Sequence, residues 1–182
     1  MGSTEALPTI PLSIAGYAIR AWRAGDAAAL ARHADNAEVW QWMSDSFPHP
    51  YTLAIAEHWV TRGHVDFGGD NWAIAFRDEA VGGCGIHPGT GQFRCNAEVG
   101  WWLAQEHWGQ GVATHVARQL VALAFADSEI TRVHAPVHAG NRGSMRVAEK
   151  AGLVLEGVQP QSAIKAGRVI DRHVYARYRN SL

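Results

Sequence analysis

The sequence predicts a single α/β domain, in which a mostly antiparallel central sheet carries helices on both faces. Three observations predict it. The first half alternates apolar and polar residues in short runs broken by turn residues, as a meander of strands does. After Trp108-Gly109-Gln110-Gly111 the period turns helical, and strand, helix and two long strands follow. The length of 182 residues suits one sizeable core better than two small ones.

In order, Tyr17 to Trp22 alternates as a strand, and Asp26 opens an Ala-rich helix to His33 as its N-cap. Phe47-Pro48-His49-Pro50-Tyr51 is a loop, since two prolines one residue apart fit neither helix nor sheet interior. Thr52 caps a helix over residues 53–65 that turns Ile55, Trp59 and Val60 inward. Asn71 to Phe76, Val81 to Ile86 and Asn96 to Leu103 read as strands, with Gly100 as a bulge or close-approach point. Val112, Val116, Leu120 and Leu123 recur at helical spacing, backed by Ala113, Ala117, Val121 and Ala124, a stripe for a helix packed on a sheet. Arg132 to Val137 is a strand, and Asn141 caps a short helix that Gly152 ends. Strands over residues 153–164 and 168–178 close the chain. Residues 1–15 read as a loose tail and 16–180 as the domain.

With 16 basic and 17 acidic side chains the net charge is -1. No field gathers nucleic acid or a membrane surface, so neither is expected as a partner. No apolar run approaches the roughly 20 residues of a membrane span, and Pro8 and Pro11 break the short N-terminal one. Cys84 and Cys95 lie in apolar strand-like stretches and read as reduced thiols, which together with the missing leader makes a cytoplasmic protein the expectation. His134 and His138 are four apart, but Pro136 between them excludes a helix, so no metal is expected.

The informative stretch is the strand from Glu98 to Leu103, the glycine turn, and the helix after it. The first N–H groups of a helix lack internal partners and carry about half a positive charge, so such a turn invites an anion. Gly109 and Gly111 let a phosphate approach the backbone. The spacing matches neither a P-loop, since no Lys-Ser/Thr follows, nor G-x-G-x-x-G, since Thr114 stands at the third glycine. A tight turn that binds nothing stays open as an alternative.

Three segments, at compatible spacing and in order, carry a resemblance: Ala97-Glu98-Val99-Gly100-Trp101-Trp102-Leu103, His107-Trp108-Gly109-Gln110-Gly111-Val112-Ala113-Thr114, and Ala139 through Leu153 with Asn141 and Ser144. Together with the Pro-His-Pro loop they resemble the GCN5-related N-acetyltransferases, in the branch of bacterial ribosomal-protein N-terminal acetyltransferases. Trp108 departs from the family's usual Gln or Arg, while Gly111 and Ala113 keep the rest of that motif. The resemblance implies a sheet splayed at a bulge, acetyl-CoA as cosubstrate without a metal, and a homodimer through the C-terminal strands. It further implies that Trp101, Trp102 and Leu103 pair with the pantetheine arm. The N–H groups of Trp108, Gly109, Gln110, Gly111, Val112, Ala113 and Thr114 would take the pyrophosphate, and Asn141 would reach the pantetheine.

The reaction expected is transfer of acetyl to an amine by direct attack, the amine being a peptide N-terminal α-amine or a small molecule. Glu98 is the candidate base, working through water; a solvated or salt-bridged strand carboxylate is the alternative. Ser144 is the candidate acid beside the CoA sulfur; half of a helix-capping pair with Asn141 is its alternative. A backbone N–H of Trp102 or Leu103 is the candidate oxyanion donor. His49, Tyr51, Trp40 and Trp42 are candidates for the acceptor pocket, His49 also as an alternative base, with core or rigid-loop roles beside them. A larger acyl donor such as succinyl-CoA, or a silent acyl-CoA sensor, are the other readings.

Overall fold

In the computed structural model, residues 9–179 are described, and they form one eight-stranded sheet with helices on both faces. Its strands are β1 (Ile10–Pro11), β2 (Tyr17–Arg20), β3 (Asp70–Phe76), β4 (Glu79–Pro88), β5 (Asn96–Leu103), β6 (Arg132–His138), β7 (Val154–Lys165) and β8 (Arg168–Tyr178). The spatial order is β1-β2-β3-β4-β5-β6-β8-β7, with β5–β6 the one parallel pair among them. That pair follows from chemistry of length: parallel neighbours need a long crossover. The helix α5 (Val112–Ala126) supplies it; the shorter helices are α1 (Ala27–Ala34), α2 (Ala37–Trp40), α3 (Leu53–His58), α4 (His64–Asp66) and α6 (Arg142–Lys150).

The pleat sorts β5 cleanly. Ala97, Val99 and Leu103 are buried in the main core, where α5 lays Val112, Val116, Ala117, Leu120 and Val121 on the sheet. Glu98, Gly100 and Trp102 point to the opposite face, where Trp22, Leu30, Tyr51, Ala56 and Val60 build a second core beneath α1 and α3. Each large side chain so buried is worth about 1.5–3 kcal/mol relative to exposure. One glycine of β4, Gly83, serves this second layer. A Cβ on Gly83 would stand 2.6 Å from Trp102 Nε1 and 3.2 Å from Trp22 Cζ2, so only glycine lets the Trp102 ring lie across the strand.

Four expectations need correction. Asp26 does not cap α1 with its side chain; its carboxylate is held by buried Arg20 at 2.8 Å and accepts the Arg23 N–H. The helix expected over 53–65 does run from Leu53 to Asp66 behind Thr52, which accepts the Ile55 N–H, but it winds as a π-helix over Trp59–Gly63. Gly100 makes no bulge: β4 and β5 stay in continuous register from Gly82↔Leu103 to Pro88↔Ala97. Of the expected tail, residues 1–8 lie outside the described residues, while Ile10 and Pro11 pair with β2.

Candidate active site: a parted seam and an open helix start

β5 and β6 pair only at Asn96, Ala97 and Glu98. Beyond Glu98 they diverge: β5 runs on to Leu103 against β4, and β6 runs on to His138 against β8. Which backbone groups this leaves open follows from one hydrogen bond. Ala104 donates its N–H to Val81 O at 2.8 Å, and the side of a strand to which N–H and C=O point alternates residue by residue. Trp102 and Gly100 therefore bond to β4, whereas Val99, Trp101 and Leu103 turn their backbone groups into the gap. The Trp102 N–H is thus spent on β4, while that of Leu103 faces the gap. The Leu103 carbonyl is already taken, by the Trp108 indole N–H at 2.7 Å.

The gap leads to the start of α5. Gly109 (φ 75°) and Gly111 (φ 82°) hold left-handed conformations that favour glycine, and Gly111 is the N-cap. Thr114 donates its N–H to Gly111 O at 3.0 Å, so it is not free as a ligand. The N–H groups of residues 109–113 meet no acceptor among the described residues. A Cβ on Gly109 or Gly111 would meet nothing within 4 Å, so the turn lies open to a ligand. It is braced from behind. Gln110 Nε2 donates to Glu106 O, the Glu106 carboxylate sits 2.8 Å from His33 Nδ1, and Tyr17 and His107 are hydrogen-bonded at 2.7 Å. Free amides at a helix start beside an opened strand fit a diphosphate with an extended polar arm.

The seam opens into a groove of about 1110 Å³. Trp42, Phe47, Tyr51, Trp59, Trp101 and Trp102 line it, together with Glu98, His134, His138, Asn141, Ser144 and Arg172. The Glu98 side chain is 49% exposed, and its Oε2 stands 3.7 Å from His134 Nε2. Burial, then the charge of Arg132, pulls the His134 pKa below the usual histidine value; burial, then Lys165 and Arg172, does the same to His138. Asn141 caps α6, accepting the Ser144 N–H at 3.1 Å, which leaves the Ser144 hydroxyl free to face the groove. Burial pushes the Tyr51 phenol up to about 12 and the Cys84 thiol far upward, so neither is a base or nucleophile at neutral pH.

Two expected pocket residues lie elsewhere. Trp40 is stacked on His49 with ring centroids 5.3 Å apart, and the Lys165 ammonium lies 3.7 Å above its ring. His49 in turn approaches Asp35 at 3.3 Å. The stack braces the loop, while its neighbours Trp42, Pro48 and Tyr51 face the groove. His134, His138 and Arg172 were not among the expected site residues. Period-2 alternation along β6 puts Arg132, His134, Pro136 and His138 on one face, which was the available signal.

The model of the acetyltransferase (GNAT) domain family matches residues 18–154, and the chain belongs to that family. The uncharacterized N-acetyltransferase YoaA of Bacillus subtilis is 34% identical over 110 residues, 59% of this chain and 62% of that protein. The ribosomal-protein-serine acetyltransferase of Escherichia coli is 31% identical over 81 residues, 44% of this chain and 45% of the relative. The matched stretch spans less than two thirds of the length of each of these curated relatives. Among solved structures, RimJ of Mycobacterium smegmatis in complex with CoA-disulfide superposes with a TM-score of 0.83 at 21% identity. That match covers 99% of this chain and 90% of RimJ, a likeness of fold.

Proposed function

We propose that this protein transfers acetyl from acetyl-CoA to a primary amine, and that the amine is a peptide N-terminal α-amine. The observation that carries the reading is the seam that parts after Glu98 and ends on the open amides of residues 109–113. Those amides would hold the pyrophosphate, and Val99, Trp101 and Leu103 would pair with the pantetheine along the gap. Bound acetyl-CoA supplies an activated thioester carbonyl.

The chain's own residues do the rest. The Leu103 N–H, turned into the gap, is placed to donate to the carbonyl oxygen as charge gathers there. Glu98, half exposed and open to solvent, takes the proton of the attacking amine through water. Ser144, its N–H fixed by Asn141, offers its hydroxyl to the departing sulfur. An α-amine has a pKa near 8 and lysine about 10.4, so lysine costs roughly 3 kcal/mol more to deprotonate at pH 7. One half-exposed carboxylate suits the easier substrate, and the E. coli relative, by its name, acts on a ribosomal protein.

The pairing of protomers belongs to the same proposal. β7 is a twelve-residue strand at the sheet edge that exposes Val154, Leu155, Val158 and Ile164, a surface suited to a second copy. Incubation with acetyl-CoA or succinyl-CoA and a panel of N-terminal peptides and small amines, read by thiol release and intact mass, tests the activity. A gain of 42 Da on peptides is the expected result. Coenzyme-induced thermal stabilisation without any thiol release would favour a silent acyl-CoA sensor instead.

A further inference from the structure

The groove continues past Glu98 and His134 to the far end of β6, where it reaches Arg172 on β8. Directly opposed residues share a face, and Arg172 opposes His138 in the antiparallel pair. Its guanidinium has only neutral partners. Nε donates to Ser162 Oγ at 3.2 Å and Nη2 to Gln159 Oε1 at 3.0 Å.

The other cations around the groove have carboxylate partners, at both ends of β6. Arg132 is forked onto Glu156, with Nε to Oε1 at 2.9 Å. Lys165 lies 3.3 Å from Asp45 and over the Trp40 ring. Asp171, next to Arg172 in sequence, spends Oδ1 on the Gln161 N–H. No carboxylate among the described residues lies within 4 Å of Arg172. The two nearby histidines offer no negative charge either, and burial, then the neighbouring cations, holds both below the usual histidine pKa, so they add little positive charge beside it. His138 Nδ1 is buried and has no partner among the described residues.

We propose that Arg172 is a specificity residue that binds a carboxylate of the acceptor peptide, supplied by a Glu or Asp a few residues after the acetylated amine. This rests on the reading of the groove as the acceptor site. The spacing sets the register. From His134, beside Glu98, to His138, beside Arg172, is four residues of strand, about 13 Å at roughly 3.3 Å each. An extended peptide covers that span in about four residues, so the acid belongs near its third to fifth position. A guanidinium grips a carboxylate through two parallel hydrogen bonds, which fixes position as well as charge.

The test uses octapeptides with one Glu moved through positions two to six, each compared with its Gln counterpart. One register of Glu is expected to lower KM by about tenfold, the scale of a hydrogen-bonded charge pair. Arg172→Gln should raise the KM of that peptide to the Gln value, and Arg172→Glu should transfer the preference to Lys in the same register. The Glu variant guards against a trivial folding defect, because a gain for Lys requires a folded site. Indifference of the unaltered protein to every Glu position overturns the proposal, as does a preference that survives in Arg172→Gln. If no peptide is acetylated, the acceptor reading fails by itself. Arg172 is then judged by binding, through the fluorescence of Trp42, Trp101 and Trp102, and equal affinity for Glu and Gln peptides overturns it.

Discussion

Replacing Gly111 with Ala separates backbone strain from ligand binding at the helix start. Gly111 sits at φ 82°, where an L-residue pays about 1–2 kcal/mol. The new methyl would meet no protein atom within 4 Å, so no clash adds to that cost. At about 2–4 °C per kcal/mol for a chain of this size, Tm should fall by about 2–8 °C. If a diphosphate rests on these amides, the same methyl also stands in its path and tilts the donors. KM for acetyl-CoA should then rise by about tenfold or more, equivalent to about 1.4 kcal/mol of lost binding. Gly91 is the control: exposed, at φ 57°, with nothing within 4 Å of its Cβ, and remote from the turn. Gly91→Ala should lower Tm comparably and leave that KM alone. Differential scanning calorimetry and steady-state kinetics on both variants decide the matter. A KM unchanged in both would refute the assignment of the turn to the coenzyme.

Other outcomes follow from other contacts. Gly83→Ala drives a methyl into the Trp102 ring and should cost about 1–3 kcal/mol, seen as a lower midpoint in urea. Asp26→Ala strips buried Arg20 of its bidentate partner and should cost about 3–5 kcal/mol by the same measurement. Glu156 is pulled down to about 2, first by the hydrogen bond from Arg132 and then by that from Tyr178. Because the folded state holds this carboxylate below its unfolded value, the stability is present above about pH 4.5 and fades as pH falls toward 2. Glu156→Gln should therefore flatten that acid limb in denaturation curves taken at several pH values. Glu98→Gln should lower kcat/KM by about a hundredfold, and Ser144→Ala should lower kcat at constant KM for acetyl-CoA. An unaltered kcat/KM or kcat, respectively, moves that role to another group.

The elements that carry strong periodicity were legible in the sequence. The stripe from Val112 to Ala124, the cap at Asn141 and the hairpin around Lys165-Ala166-Gly167 all stand where the pattern put them. Local chemistry failed where a distant partner intervened. Asp26 has the right residue type for an N-cap, but Arg20 offers a stronger, buried contact. Trp40 reads as an acceptor wall until Lys165, 125 positions later, is found above its ring. The helix start proposed for the coenzyme was readable because its glycines announce themselves locally. The other end of the groove was not, since it is assembled from β6, β8 and the aromatic loop, which meet only in the folded chain. Gly100 misled for another reason: glycine is needed there by neither register nor φ, and strand divergence comes from β6 following β8.

The short junction between β5 and β6 also bears on how the molecule moves. Three residue positions on β5 join a five-strand leaf to a three-strand leaf, and α5 spans the joint like the spring of a pair of tongs. Breathing of the two leaves about that corner would break few amide pairings. A molecule wedged between them, bonded to both margins, would do the work of a missing strand and stiffen the whole sheet.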